Sequence, residues 1–129
     1  MWADIELAVM TGIRPLLPGV RVTDELPDKL ETRLPLVWVR VVGGADDRIT
    51  DTATVDVHSF AATRALMWEL AEQTRAAVHA LAATHNAGQR VVIDDVATAA
   101  RPAEVPYGNP LLRRAVATYE VATRERAST

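Results

Sequence analysis

Residues 36–42 read Leu-Val-Trp-Val-Arg-Val-Val, an almost wholly apolar run in which Arg40 carries the only charge. Most of these side chains are β-branched or aromatic, the types that favour extended structure. Because successive side chains of a strand point to opposite faces, both faces of this segment are apolar. Strands of that kind are central in a sheet or covered on both sides. The run therefore predicts a strand in the middle of the fold.

The residues before this strand predict a helix and a shorter strand. Ile5, Val9 and Ile13 recur at four-residue spacing within residues 3–17, as on the buried face of a helix. Residues 20–26 then alternate apolar and polar side chains, which indicates a half-buried strand. We expect a loop between this strand and the central one.

The link after the central strand, residues 43–51, is polar and too long for a two-residue hairpin. We expect it to project from the sheet as a loop, with Gly43-Gly44 allowing a sharp exit from the strand. The next strand, residues 52–60, alternates cleanly, with valines facing inward and polar residues such as His58 facing outward.

Residues 61–84 predict a long, Ala-rich helix whose start Ser59 or Thr63 could cap. Its apolar stripe should pack on the sheet and comprises Leu66, Met67, Leu70, Ala71, Thr74, Ala77, Val78 and Leu81. Its opposite side carries Trp68, Glu72, Arg75 and His79.

Two further strands are expected at residues 90–96 and 115–122, joined by a long loop over 99–112 that holds three prolines and a glycine. The expected fold is therefore α+β. One mostly antiparallel or mixed sheet of about four to five strands is packed by two helices, in the order α-β-β-β-α-β-β.

Composition limits the possible functions. The 129 residues suit one domain over 1–129, with residues 125–129 as a frayed polar tail. The absence of cysteine excludes thiol catalysis and Cys-based zinc sites. A net charge of −3 disfavours tight nucleic-acid binding. No apolar run reaches the roughly 18 to 20 residues of a membrane span, and Asp4 and Glu6 disfavour a signal peptide, so we expect synthesis in the cytoplasm.

No motif in the sequence indicates a metal or a cofactor. The histidines, His58, His79 and His85, form no HxH or HExxH pair, and we expect them to be solvated or at an interface. The loop aspartates, Asp46, Asp47 and Asp51, lack the spacing and closing glutamate of a calcium loop. Gly43-Gly44 lacks the rest of a phosphate-binding loop.

Catalytic patterns are equally scarce. Neither serine, Ser59 or Ser128, stands in a GxSxG elbow. Asp94 and Asp95 are adjacent, so a regular strand would point them to opposite faces, and only a bulge could bring them to one site.

Trp68 has two interpretations that the sequence leaves open. It lies on the charged side of the long helix, where a large aromatic side chain is often an interface anchor. It is equally compatible with a position covered by another part of the same subunit.

Taken in order, the segments resemble the tail-terminator proteins of long-tailed bacteriophages, also called tail-completion or head–tail joining proteins. The similarity covers nearly the whole chain. It includes a first helix ending in Leu16-Leu17-Pro18-Gly19-Val20, the Leu-Pro-Leu-Val-Trp-Val-Arg-Val-Val-Gly-Gly strand at 34–44, Asp-Arg-Ile-Thr-Asp at 47–51, Ala-Thr-Val-Asp-Val-His-Ser-Phe at 53–60, the Ala-rich helix, a Pro-rich loop, and Thr-Tyr-Glu-Val-Ala-Thr-Arg at 118–124.

This resemblance implies a non-enzymatic virion protein without cofactors. Such a protein forms a ring, expected to be a homohexamer, at the head-proximal end of the tail. It would contact the tail tube protein and the head–tail connector or stopper protein, and genome DNA would pass through without tight binding. Subunit or partner interfaces are expected at Gly43, Gly44, Asp46, Asp47, Arg48, Trp68, Glu72 and Arg75.

The alternative is a small cytoplasmic α+β dimer that binds a ligand or acts as a weak enzyme. Its site would lie around an acidic cluster formed by Asp94, Asp95 and Glu104.

Overall fold

The computed structural model describes residues 2–46, 51–83 and 91–125, and these form two helices and a five-stranded sheet. The elements are α1 (Trp2–Ile13), β1 (Arg21–Thr23), β2 (Leu36–Asp46), β3 (Asp51–Ala61), α2 (Arg64–Ala80), β4 (Val91–Glu104) and β5 (Arg113–Glu125). Short 3-10 turns occur at Arg14–Leu16, Leu30–Thr32 and Leu81–Ala83. This order confirms the predicted α-β-β-β-α-β-β arrangement.

The sheet is mixed, with strand order β1-β2-β3-β5-β4. β1 runs parallel to β2, and every other neighbouring pair is antiparallel. Two ends of the sheet can be distinguished. The "hairpin end" is the one near Asp46 and Asp51, where β2 ends and β3 begins. The "loop end" is the opposite one, near Leu36 and Arg113, where β2 and β5 begin. β1 pairs only with the first three residues of β2. Farther along β2, α1 protects the free edge, because the Val41 N–H donates to Glu6 Oε2 at 2.8 Å.

Both helices pack on one face of the sheet and enclose the main core. From α1, Ile5, Val9 and Ile13 are fully buried, as their spacing predicts, and Val37 and Val39 meet them from β2. Burying one side chain of this size contributes roughly 1.5–3 kcal/mol. The two sequence periods, four for the helix and two for the strand, therefore account for how these elements pack.

The opposite face is covered at the loop end only. There Leu36 and Phe60 pack with Leu30, which precedes β2, and Leu112, which precedes β5. Towards the hairpin end, Val42 remains 45% exposed. The two-sided burial predicted for the central strand is therefore confirmed for its first residues and wrong for its last.

The prediction that residues 43–51 form a projecting loop is wrong for residues 43–46, which belong to the sheet. β2 continues to Asp46, and Gly43 and Gly44 pair with Thr54 and Ala53 of β3 instead of leaving the sheet. The register shifts between Val41 and Gly43, so the glycines follow a β-bulge, where an extra residue bends the strand. Residues 47–50 lie outside the described part of the chain.

The strand expected at 20–26 is also shorter than predicted. It ends at Thr23 because the Thr23 hydroxyl donates to the Glu25 carbonyl at 2.8 Å and accepts from the Glu25 N–H at 3.1 Å. That local turn replaces sheet hydrogen bonds.

In contrast, β4 is longer than expected and extends through Pro102 to Glu104, so the connecting loop spans only residues 105–112. As the edge strand, β4 can accommodate a proline, and three register shifts interrupt its pairing with β5.

The α2 helix begins after Thr63, whose hydroxyl accepts from the Leu66 N–H at 3.2 Å. Its buried stripe follows the prediction with one exception, since Leu66 is 50% exposed. Leu66 lies in the first turn, where α2 extends past the end of β3, and the sheet does not cover it.

Candidate partner interfaces

The glycine pair lies at the exposed hairpin end of the sheet. Gly44 has a φ of 156°, a backbone conformation that side chains rarely adopt, whereas a Cβ added at Gly43 would meet nothing within 4 Å. Asp46 ends β2 opposite Asp51. Asp47 and Arg48 lie outside the described residues, so their predicted interface role stays a prediction.

The outer side of α2 carries the second set of predicted interface residues. Trp68 is half-buried and packs against a small cluster formed by Ala61, Met67, Ala71 and Ala115. This contact supports the interpretation that the subunit itself covers part of the indole, and it leaves the remainder available to a partner.

Glu72 and Arg75 do not pair with each other among the described residues. Both influence Tyr119 instead, which lies beneath them on β5. Burial raises the pKa of Tyr119 to about 12, with Arg75 opposing that rise and Glu72 adding to it. These side chains therefore present one negative and one positive group on α2 that do not form an ion pair with each other.

The two predicted sets do not form one surface. The hairpin set is next to Ala53 on β3, whereas Trp68 packs at Ala61 at the other end of the same strand. These two positions are eight residues apart along the strand, or about 26 Å at the usual rise. If both sets bind partners, they contact different ones or different parts of one.

The acidic cluster required by the alternative function does not assemble. Asp94 lies in a bulge, where the register shifts between Ile93 and Asp95, and its carboxylate accepts from Arg124 Nε at 3.0 Å. Glu104 is ten residues farther along β4, which corresponds to about 30 Å. The bulge that could have joined Asp94 and Asp95 is present, but the third carboxylate is at the loop end.

Glu104 has a role that sequence inspection missed. Its carboxylate holds two arginines from different elements, with Arg64 Nε at 3.2 Å and Arg113 at 3.4 Å. These residues tie the start of α2 to the ends of β4 and β5. Because both arginine side chains are more than half exposed, each pair contributes at most about 1 kcal/mol.

His58 is the largest departure from expectation. It faces away from the helices, as alternation predicts, yet it is only 7% exposed. Its ring centroid lies 4.6 Å from that of Trp38 and 6.3 Å from that of Phe60, and both of these residues belong to the apolar cluster at the loop end. Neither ring nitrogen has a hydrogen-bond partner among the described residues. Burial, reinforced by Arg114 and Arg40 and opposed by Asp56, lowers the pKa of His58 to about 4. The prediction that His58 is solvated or at an interface is therefore wrong, because the side chain is buried within its own subunit and neutral.

Beyond His58, the same face is open and polar. The Thr118 hydroxyl donates to Asp56 at 2.7 Å, and the Thr54 hydroxyl donates to Glu120 at 3.1 Å. Arg40 does not pair with these acids; its guanidinium lies 5.0 Å above the Trp38 ring. The open face thus presents carboxylates and hydroxyls that already satisfy one another.

Within the described ranges, no group of three or more acidic or histidine side chains is arranged to hold a metal ion. Over the same residues, neither helix has the length and apolarity needed to cross a bilayer.

The sequence profile of a family described as "Phage tail termination protein" matches residues 1–129. Among solved structures, a chain of the "Virion of native gene transfer agent (GTA) particle" has a similar fold, with a TM-score of 0.55. The two chains are 14% identical, and the match covers 93% of this chain and 94% of that one. No curated protein matches the sequence.

Proposed function

Because this chain belongs to the family of phage tail termination proteins, we propose that it caps the phage tail tube, ends tube elongation and joins the tail to the head connector as a homohexameric ring. The family assignment makes it a structural protein of the phage tail. The single observation that carries the finer proposal is the extent of the match, which spans the whole chain, residues 1–129.

The proposed partners are other copies of this chain, the tail tube protein and the head–tail connector or stopper protein. The hairpin residues Gly43, Gly44, Asp46, Asp47 and Arg48 are proposed to contact a neighbouring subunit or a partner ring. The outer side of α2, at Trp68, Glu72 and Arg75, is proposed to contact a neighbouring subunit. The distance between the two sets supports separate contacts, because a ring component needs surfaces for its neighbours and for the structures above and below it.

Genome DNA is proposed to pass through the ring without tight binding. The chain carries a net charge of −3, and tight binding to DNA depends on cations that neutralise phosphates. On the open sheet face, Arg40 stacks on Trp38 and Arg124 pairs with Asp94, so both cations already have partners. This arrangement supports passage of DNA without tight binding.

The decisive experiment is deletion of the gene from its phage with complementation in trans. We expect filled heads together with unjoined tails of abnormal or unregulated length, and complementation should restore infectious particles. Light scattering of the purified protein, alone and mixed with tail tubes, should reveal a species near six times the 14.0 kDa chain mass. Normal virions from the deletion strain would contradict the proposal.

A further inference from the structure

Exposed apolar side chains are concentrated at the loop end. Six large apolar residues are exposed among those described, namely Leu7, Leu16, Val42, Leu66, Tyr107 and Leu111. Four of them lie at the loop end. Leu16 is in the turn after α1, Leu66 is in the first turn of α2, and Tyr107 and Leu111 are in the β4–β5 loop. Apolar surface collected in this way marks a site of protein–protein contact.

A groove opens at the loop end on the helix-bearing face. Its volume is about 360 Å³, and apolar side chains of the α1–β1 turn, the residues before β2 and α2 form most of its wall. Leu66 and Leu70 form the α2 side, and Pro18 and Leu34 lie opposite. Glu69 is the one charged residue of the lining, and it makes no ion pair or hydrogen bond with any described residue. The groove is thus an apolar cleft with an unpaired negative charge.

A projecting leucine lies on the other face at the same end. Leu111 is 63% exposed, the highest value among the large apolar residues described. The next residue, Leu112, is buried against Leu36 and Phe60 on the face away from the helices, which places this loop there. Leu111 is not among the residues that line the groove of its own subunit.

The loop that carries Leu111 is held in place. Asn109 Oδ1 accepts from the Leu111 N–H at 3.0 Å, while Asn109 Nδ2 donates to Glu31 at 3.0 Å. Arg114 donates to the Pro106 carbonyl at 3.0 Å and lies 5.0 Å from the Tyr107 ring centroid. A side chain presented by a preorganised loop loses little conformational entropy when it binds.

Charge complementarity connects the two features. Around the Leu111 loop, three arginines, Arg101, Arg113 and Arg114, outnumber two acids, Glu104 and the Glu31 that accepts from Asn109, which leaves a small excess of positive charge. The groove presents the unpaired carboxylate of Glu69. A second copy of this chain therefore offers an apolar side chain for the groove and arginines of charge opposite to that of Glu69.

We propose that Leu111 of one subunit occupies the groove beside Leu66 and Glu69 of the next subunit, as a repeated contact around the ring. The two surfaces differ, so the contact is heterologous, and such a contact closes into a ring when successive rotations add to a full turn. Both surfaces lie at the loop end, which keeps successive subunits at one height. This inference rests on the proposed ring and identifies which residues close it.

Cross-linking tests the contact directly, since the chain has no cysteine of its own. The double variant Leu66→Cys/Leu111→Cys, treated with a short bismaleimide under assembly conditions, should give a ladder of covalent oligomers on a denaturing gel. Each single-cysteine variant should remain monomeric on the same gel, because neither position lies next to its own copy. Leucine-to-cysteine changes at these exposed positions leave the core intact.

A charge variant gives an independent test. Leu111→Asp should reduce association at least tenfold while the circular dichroism spectrum and the melting temperature stay near those of the wild type. The matched control is Leu7→Asp, which alters a leucine of 47% exposure on α1 that does not line the groove, and it should associate normally.

The outcomes separate this contact from the ring itself. If the protein assembles, the double cysteine variant gives no ladder and Leu111→Asp assembles normally, then the contact is wrong and the proposed function stands. If the wild type stays monomeric both alone and on tail tubes, then the ring proposal fails and this contact fails with it.

Discussion

His58 and Trp38 face each other across the β2–β3 pairing, with their ring centroids 4.6 Å apart. The imidazole is buried by this contact and by Phe60, and neither nitrogen is hydrogen-bonded within the described chain. A charged imidazolium here would lose its hydration without gaining a partner, and Arg114 and Arg40 would repel it. The fold therefore requires a neutral histidine.

The first prediction is that stability falls as the pH is lowered. The pKa of His58 is about 4 in the folded protein and 6.5 in a free histidine, so between these values the unfolded chain binds more protons. The contribution of neutral His58 to the free energy of unfolding is complete above pH 6.5 and is lost as the pH falls towards 4. At pH 4.5 the free energy of unfolding should be lower by about 2 kcal/mol on this account. Urea unfolding at pH 7 and pH 4.5 measures the difference.

The control for this prediction removes the imidazole of His58 and measures the same pH dependence of stability. His58→Leu should reduce it by about 2 kcal/mol between the same two pH values. An unchanged pH dependence in His58→Leu would show that other groups cause it.

The burial of His58 shows where sequence-based inference stopped. Alternation in β3 correctly placed Val55 and Val57 towards the helices and His58 on the other face. It could not show that this face is covered, because Leu30 and Leu112 come from loops that have no period. The face of the sheet to which a side chain points follows from alternation along its own strand, whereas its exposure depends on segments far away in the sequence.

The prediction of strand lengths and of the candidate site from the sequence was limited in the same way. Pro102 suggested a loop, but an edge strand with bulges can contain a proline, and only the strand order reveals that β4 is an edge. The exposed Leu66 belonged by spacing to the buried stripe of α2. Its groove is formed with Pro18 and Leu34, and nothing in the local sequence pattern links these residues to α2.

The second prediction compares two leucines of α2. Leu70 is 4% exposed, so Leu70→Ala should lower the free energy of unfolding by roughly 2 to 5 kcal/mol, through lost burial and the cavity left behind. Leu66 is 50% exposed on the same helix, so Leu66→Ala should change the free energy of unfolding by no more than about 0.5 kcal/mol. Urea denaturation of the two variants distinguishes them, and equal losses would contradict the assigned helix face.

The third prediction concerns the two glycines after the bulge. At Gly44 the φ of 156° disfavours any side chain, so Gly44→Ala should destabilise the protein by about 1 to 3 kcal/mol. At Gly43 a methyl group meets no atom within 4 Å and φ lies outside that region, so Gly43→Ala should be nearly neutral. Thermal melting curves test the pair. A neutral Gly44→Ala would mean that the strand relaxes without cost.

The fourth prediction separates folding from assembly at the hairpin end. Replacing residues 45–52 by a two-residue Asn-Gly turn would join β2 to β3 directly at Gly44 and Ala53, which are already paired. The shortened protein should keep its secondary structure, since no described residue of the main core falls within 45–52, and it should fail to join heads to tails in a complementation assay. Full complementation would show that the hairpin contacts no partner.

The last prediction concerns Trp68, which is half-buried against Ala61, Met67 and Ala115 within its own subunit. Part of the indole therefore remains available, and we expect a neighbouring subunit to bury it. Trp68→Ala should leave the circular dichroism spectrum unchanged, lower stability less than Leu70→Ala does, and weaken subunit association at least tenfold in sedimentation velocity. Trp68→Phe, which keeps a large apolar ring, should associate nearly as well as the wild type. If Trp68→Ala instead loses secondary structure as readily as Leu70→Ala, then the indole belongs to the core, and the subunit contacts lie on the groove, the Leu111 loop or the hairpin.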